Sequence, residues 1–170
     1  MRPKNPLKQV RSGKGGLKSV KQPLAADSGK TVSEAVSKSM RSNRSIGTLP
    51  EKSLARMLWN AGLRGYRKND RRIPGKPDIY FPRLRLAVLL NGCFWHRCPY
   101  CKPAMPKTNV EFWSQKFTGN KKRDRRQYRL RYDIGIRSLV VWECSLKKGP
   151  YQVLQKVQKA ILEQEAKING

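Results

Sequence analysis

Residues Leu84–Cys101 read LRLAVLLNGCFWHRCPYC. The first part, Leu84 to Leu90, is nearly all apolar. A run of that length and composition is a strand buried on both faces, near the centre of a sheet. The second part opens a loop from Gly92 to Pro106 that is rich in Gly, Cys and Pro and follows neither helical nor strand periodicity. It has little aliphatic content of its own, so something else must hold it in place.

Upstream, Pro74-Gly75 is a turn, Ile79-Tyr80-Phe81 is a short strand, and Pro82 ends it. Residues Tyr66 to Arg72 are polar and basic, as in a loop or short strand. Thr48-Leu49-Pro50-Glu51 has the signature of a helix start: a capping Thr, a Pro in the first turn and an acid three residues after the cap. Leu54, Met57, Leu58 and Ala61 then form one apolar face, and Gly62 stops the helix. Downstream, Asn109–Phe117 and Asn120–Tyr132 read as two helices. Ser138–Trp142 is a third strand. Tyr151–Ile168 is a closing helix with Leu154, Val157, Ile161 and Ile168 on one side. A short helix is also expected from Thr31 to Arg41, where Thr31 and Glu34 have capping-box spacing and Val32, Val36 and Met40 make a narrow stripe. After that helix the order is α, β, β, α, α, β, α. This predicts an α/β sandwich with a small central mixed sheet flanked by helices. The expected division is a disordered basic arm over residues 1–30 and one domain over residues 31–170.

Charge limits the partners. The chain has 38 Lys and Arg against 11 Asp and Glu, a net +27. Such a surface attracts polyanions and releases their counterions, so nucleic acid is the expected partner. No apolar run approaches the roughly 18 residues of a membrane span. The N-terminus lacks the apolar core of a secretory signal. The expected location is therefore the cytoplasm, where disulfides are rare, and no membrane association is expected.

All four cysteines lie at strand ends: Cys93, Cys98 and Cys101 after the central strand, Cys144 after the third. Thiolates so confined suit a closed tetrahedral zinc site that would organise the loop. His96, the only histidine, is an alternative ligand in place of Cys93 or Cys98. Four cysteines are preferred because they leave His96 free for chemistry. Buried free thiols are the plainer alternative.

Asp78 follows the Pro-Gly turn and opens a strand, so its carboxylate is rigid and sits at a sheet end. One such carboxylate can hold Mg²⁺ together with phosphate oxygens and water. His96 has the pKa range for proton transfer, and Glu51 is a second acid. Against these readings, Asp78 could be only a turn residue, Glu51 only a capping partner, and His96 only a packing residue beside the zinc loop. Lys116, Lys121, Lys122 and Arg123 begin a basic run through Arg131 whose only acid is Asp124. Phe94, Trp95 and Trp113 are aromatics beside basic residues, able to stack on bases or wedge between them. Trp113 reads equally as ordinary core.

The blocks SKSMRSNR, PGKPDIYFP, NGCFWHRCPYC, NVEFW and VVWEC occur in that order. Together they resemble the very-short-patch-repair (Vsr) mismatch endonucleases over roughly residues 32–147. The resemblance implies a restriction-endonuclease-like fold in a bacterial protein acting on nucleoid DNA. It implies a DNA mismatch endonuclease that nicks one strand 5′ of the T in a T·G mismatch, the product of 5-methylcytosine deamination. Mg²⁺ would be the catalytic cofactor and Zn²⁺ structural. Asp78 would bind the catalytic metal with the main-chain carbonyl of Leu90, His96 would act on the attacking water, and Glu51 would assist. Cys93, Cys98, Cys101 and Cys144 would hold zinc. Phe94, Trp95 and Trp113 would wedge beside the mismatch, and Met40 would enter from the minor groove. A monomer working with other repair proteins is expected. Two positions depart from the family pattern. Asn91 stands where a second active-site histidine occurs, and Asn shuttles no proton at neutral pH. Cys98 replaces a zinc-binding histidine, with the next ligand displaced to Cys101. The alternative function is a zinc-stabilised basic DNA-binding protein, or a nuclease with another DNA target.

Overall fold

The computed structural model describes residues 47–170. The arm, the helix expected at Thr31–Arg41 and Met40 lie outside the described residues. The elements are α1 (Leu49–Asn60), β1 (Arg67–Lys68), β2 (Ile79–Phe81), β3 (Leu86–Asn91), α2 (Cys93–His96), α3 (Val110–Asp133), β4 (Arg137–Trp142), α4 (Glu143–Lys148) and α5 (Pro150–Asn169).

The strands form one mixed sheet in the order β1-β2-β3-β4. The pairs β1–β2 and β2–β3 are antiparallel, with Ile79 opposite Val88 in the second. β3 and β4 are parallel over six residue pairs, from Leu86↔Arg137 to Asn91↔Trp142. A parallel pair needs a crossover connection, which α2 and α3 supply.

Side chains alternate across a strand, so each face of the sheet receives its own helices. On one face, Leu54 and Leu58 of α1 and Val153, Val157, Ala160 and Ile161 of α5 pack with Ile79, Phe81, Leu86, Val88 and Val141. The other face carries Tyr80, Ala87 and Ile136 and meets α3. The expected sandwich, with its small mixed sheet flanked by helices, is the architecture the chain adopts. Thr48 caps α1 as read from the sequence, its side chain accepting from the Glu51 N–H.

Four local readings are corrected. The central strand begins at Leu86, because Leu84 and Arg85 belong to the turn closed by Arg85 N–H donating to Pro82 O at 3.2 Å. The loop after β3 contains a short helix; α4, after β4, lies in a segment that the sequence reading left unassigned. Ile168 is exposed and takes no part in the core. The two helices expected around Thr118-Gly119 are one continuous α3. Trp113, Phe117 and Asn120 are all buried along one side of it, and their packing offsets the roughly 1 kcal/mol that a helix-interior Gly costs relative to Ala.

A Cβ added at Gly119 would meet nothing within 4 Å. Gly119→Ala should therefore stabilise the fold by about 0.5–1 kcal/mol in urea unfolding. A loss of stability would show that Gly119 serves as a break and not as a helical residue.

Candidate active site

The parallel β3–β4 pair ends at Asn91↔Trp142. Two residues beyond each end stand Cys93 and Cys144, so the register itself brings these cysteines together. The Cys144 N–H donates to Cys93 Sγ at 3.3 Å. The chain then reverses at Arg97, whose φ is 53°, and the Cys98 N–H donates to Cys93 O at 2.9 Å. The four sulfurs of Cys93, Cys98, Cys101 and Cys144 all lie within 4.8 Å of one another. Cys98 and Cys144 Sγ are 3.7 Å apart. Metal–sulfur bonds of about 2.3 Å in a tetrahedron require sulfur spacings of about 3.8 Å, so the donor set fits a metal ion. Burial pushes the Cys93 thiol up in pKa, although the Cys144 N–H works the other way. A cation is what would let four crowded sulfurs ionise together.

His96 stands outside this cluster. Its Nδ1 meets Asp124 Oδ2 at 2.5 Å, and Asp124 comes from the middle of α3. A carboxylate on one ring nitrogen fixes the tautomer and leaves Nε2 for chemistry. α2 is docked on α3 by Asn120, whose Nδ2 donates to Trp95 O at 2.9 Å. Asp124 is a candidate site residue, by its contact with His96 in the cleft, that the sequence reading passed over. Its one signal was being the only acid in a long basic run.

Asp78 sits at the start of β2, beyond buried Pro77. The Leu90 N–H donates to Asp78 Oδ2 at 2.7 Å, which places the carboxylate against the main chain of β3. Burial lifts the pKa of Asp78 to about 6, the Leu90 N–H opposes this, and the charge of Glu51 adds to the rise. Glu51 serves two roles. Its carboxylate accepts from Gly47 N–H and Thr48 Oγ1–H, both at 2.8 Å, and it still reaches Asp78 electrostatically. A carboxylate destabilised by burial and a like charge, in the wall of an open cleft that Leu90 also lines, is a donor that fits a hard divalent cation. Asn91 is buried, and its Nδ2 donates to Tyr128 Oη at 3.5 Å.

These groups share one cleft of ≈ 1060 Å³, whose walls include Glu51, Asp78, Leu90, Asn91, His96 and Asp124. Trp95, Lys116 and Arg123 line it as well. Lys121 and Lys122 are exposed elsewhere on α3. Phe94 is the hub of an aromatic cluster, with ring centroids 5.2 Å from each of Trp95, Trp113 and Phe117. Trp113 is only 9% exposed, packed against Phe94 and Phe117. Among the described residues, no helix is long and apolar enough to cross a membrane.

A sequence model described as DNA mismatch endonuclease Vsr matches residues 30–102, a span that holds Glu51, Asp78, His96 and three of the cysteines. The DNA mismatch endonuclease Vsr of Escherichia coli is 39% identical over 111 residues, which cover 65% of this chain and 70% of that protein. The type II nicking enzyme V.NmeAIP of Neisseria meningitidis is 42% identical over 59% of this chain and 71% of its own length. The chain belongs to the Vsr DNA mismatch endonuclease family. Another relative, the type II nicking enzyme V.HpaIIP of Haemophilus parainfluenzae, is 37% identical over 72% of this chain and 86% of its own. Among solved structures, the catalytic domain of homing endonuclease I-Bth0305I matches with a TM-score of 0.47 at 20% identity, over 69% of this chain and 98% of that domain. As a Vsr-family protein the chain is a DNA endonuclease, and its cysteine cluster could bind a metal.

The Asp78 pKa carries a stability signature. Because the folded-state value lies above the ordinary 3.8, at about 6, protonation favours the fold, and that contribution is lost as pH rises through this window. Asp78→Asn never ionises. Without Mg²⁺, its Tm advantage over the wild type should grow between pH about 4 and about 6 and then level off. Mg²⁺ above that pH should raise the Tm of the wild type and leave the variant unmoved. A pH-independent difference would contradict the assignment.

Proposed function

We propose that this chain nicks one strand of double-stranded DNA 5′ of the T in a T·G mismatch, the event that starts very short patch repair. The observation that carries the reading is the His96–Asp124 pair sharing a basic-walled cleft with Asp78. Asp78 and the Leu90 carbonyl would hold Mg²⁺, and Cys93, Cys98, Cys101 and Cys144 would hold Zn²⁺. Mg²⁺ there would offset phosphate charge and lower the pKa of water.

The chain's own groups do the rest. His96 Nε2 takes a proton from the attacking water, and Asp124 stabilises the resulting imidazolium. As the new phosphorus–oxygen bond forms, the bond to the leaving oxygen breaks, and that oxygen is protonated from solvent. Glu51 keeps negative charge beside Asp78, which favours cation capture. Asn91 hydrogen-bonds and carries no proton. Lys116 and Arg123 in the cleft, with Lys121 and Lys122 outside it, neutralise DNA phosphates. Phe94, Trp95 and Trp113, with Met40 from the N-terminal side, are the wedge beside the mismatch. For this the packed aromatic cluster must open, exchanging ring–ring contacts for ring–base stacking. The protein works as a monomer in the bacterial cytoplasm, on nucleoid DNA, and hands its nick to other repair proteins.

Strand-specific nicking of a labelled duplex with one T·G mismatch tests this, in Mg²⁺ or EDTA and beside a matched control. Mg²⁺-dependent cutting 5′ of the T, absent from the matched duplex, is expected. Tight binding with no cut in either strand would replace the proposal with a DNA-binding protein. Cutting of a different duplex would keep the nuclease and change its target.

A further inference from the structure

The basic run on α3 ends in a residue that does not face solvent. Arg131 is 0% exposed. Its Nη1 donates to Pro74 O at 2.6 Å, and its Nε donates to Ser138 Oγ at 2.8 Å. Its guanidinium lies 5.0 Å from the centroid of the Tyr128 ring, the same Tyr128 whose hydroxyl accepts from Asn91. The remaining nitrogen, Nη2, is buried with no hydrogen-bond partner. Burial pulls the guanidinium pKa down.

Stability does not account for such a residue. Burying a cation costs free energy unless it is fully paired, and an apolar side chain of similar volume is often as stable or more so. What Arg131 holds is more telling. Pro74 and Gly75 form the turn that delivers Pro77 and Asp78 to the start of β2. Gly75 has φ 76°, and a Cβ there would come within 2.7 Å of Arg131 Nη1 and 3.1 Å of Gln127 side-chain carbons. The turn is therefore seated directly on the guanidinium. Through Tyr128 and Asn91 the same group also braces the end of β3, next to Leu90.

We propose that Arg131 is a positioning residue for the divalent-cation site, fixing the Asp78 turn and the Leu90 strand end at the separation the cation needs. The inference rests on the reading of Asp78 and Leu90 as cation ligands. The Arg131 contacts are all internal, so its effect should appear in cation binding without DNA.

The test is Mn²⁺ binding to the full chain by electron paramagnetic resonance, with zinc content and Tm measured on the same samples. The wild type should show a site that Asp78→Asn lacks. Arg131→Met should weaken that site at least tenfold while keeping zinc and a Tm equal to or above that of the wild type. Arg131→Lys, which offers one nitrogen where Arg131 uses two, should fall between. Gly75→Ala approaches the same contact from the turn and should weaken Mn²⁺ binding too, with little further loss when combined with Arg131→Met. Should Arg131→Met fail to fold, Arg131→Lys and Gly75→Ala carry the test. Unchanged Mn²⁺ affinity in these variants, beside an Asp78-dependent site in the wild type, overturns the role of Arg131 alone. A wild type with no Asp78-dependent site overturns the cation reading and this inference with it.

Discussion

The parallel pairing of β3 with β4 is the constraint on which the rest of the molecule depends. It brings two strand ends into register at Asn91↔Trp142, so Cys93 and Cys144 follow at equal distances and meet. The sulfur cluster then holds the reversal at Arg97, and that reversal sets α2 with His96 at its end. The same pairing requires a crossover, and the crossover is α3, which supplies Asp124 to His96, Asn120 to the Trp95 carbonyl and Arg131 to the Asp78 turn. One sheet register thus fixes the His96–Asp124 pair, the loop of aromatics and the support for the Asp78 turn.

The electrostatics follow from the same geometry. In a chain of +27, four of the 11 acids (Glu51, Asp78, Asp124 and Glu143) line one cleft. The cations around it lower the cost of concentrating those carboxylates. Burial and Glu51 nevertheless keep the ionised form of Asp78 destabilised, the condition under which the proposed divalent ion would be captured. Asp124 is held by His96 at 2.5 Å and Arg123 at 3.6 Å, which under the proposed mechanism gives it to proton transfer. The two carboxylates have different neighbours, and the proposed mechanism gives them different work for that reason.

The core strand, the helix starting at Thr48 and the four-cysteine cluster were legible in the sequence because each has a strong local signal: an unbroken apolar run, a cap with Pro and Glu, and cysteines confined to two strand ends. Continuity of α3 was not legible, since Gly119 argues locally for a break and only the burial of Trp113, Phe117 and Asn120 overrides it. The placements of Asp124 and Arg131 were hidden for a similar reason. Within a run of charges, no local rule separates residues that face solvent from those that face a partner element. Lys116, Asp124, Tyr128 and Arg131 fall on the cleft side of α3, while Lys121 and Lys122 do not, and only the docked helix tells them apart.

If the cysteine cluster secures the catalytic loop, removing its metal must release that loop and little else. Hydrogen exchange of the purified chain before and after a thiolate-competing chelator measures this directly. The account predicts lost protection across residues 92–101 and 143–148, retained protection in α1 and α5, and recovery on adding zinc. Unchanged exchange in those segments, or a purified chain that carries no metal and yet protects them fully, would contradict it.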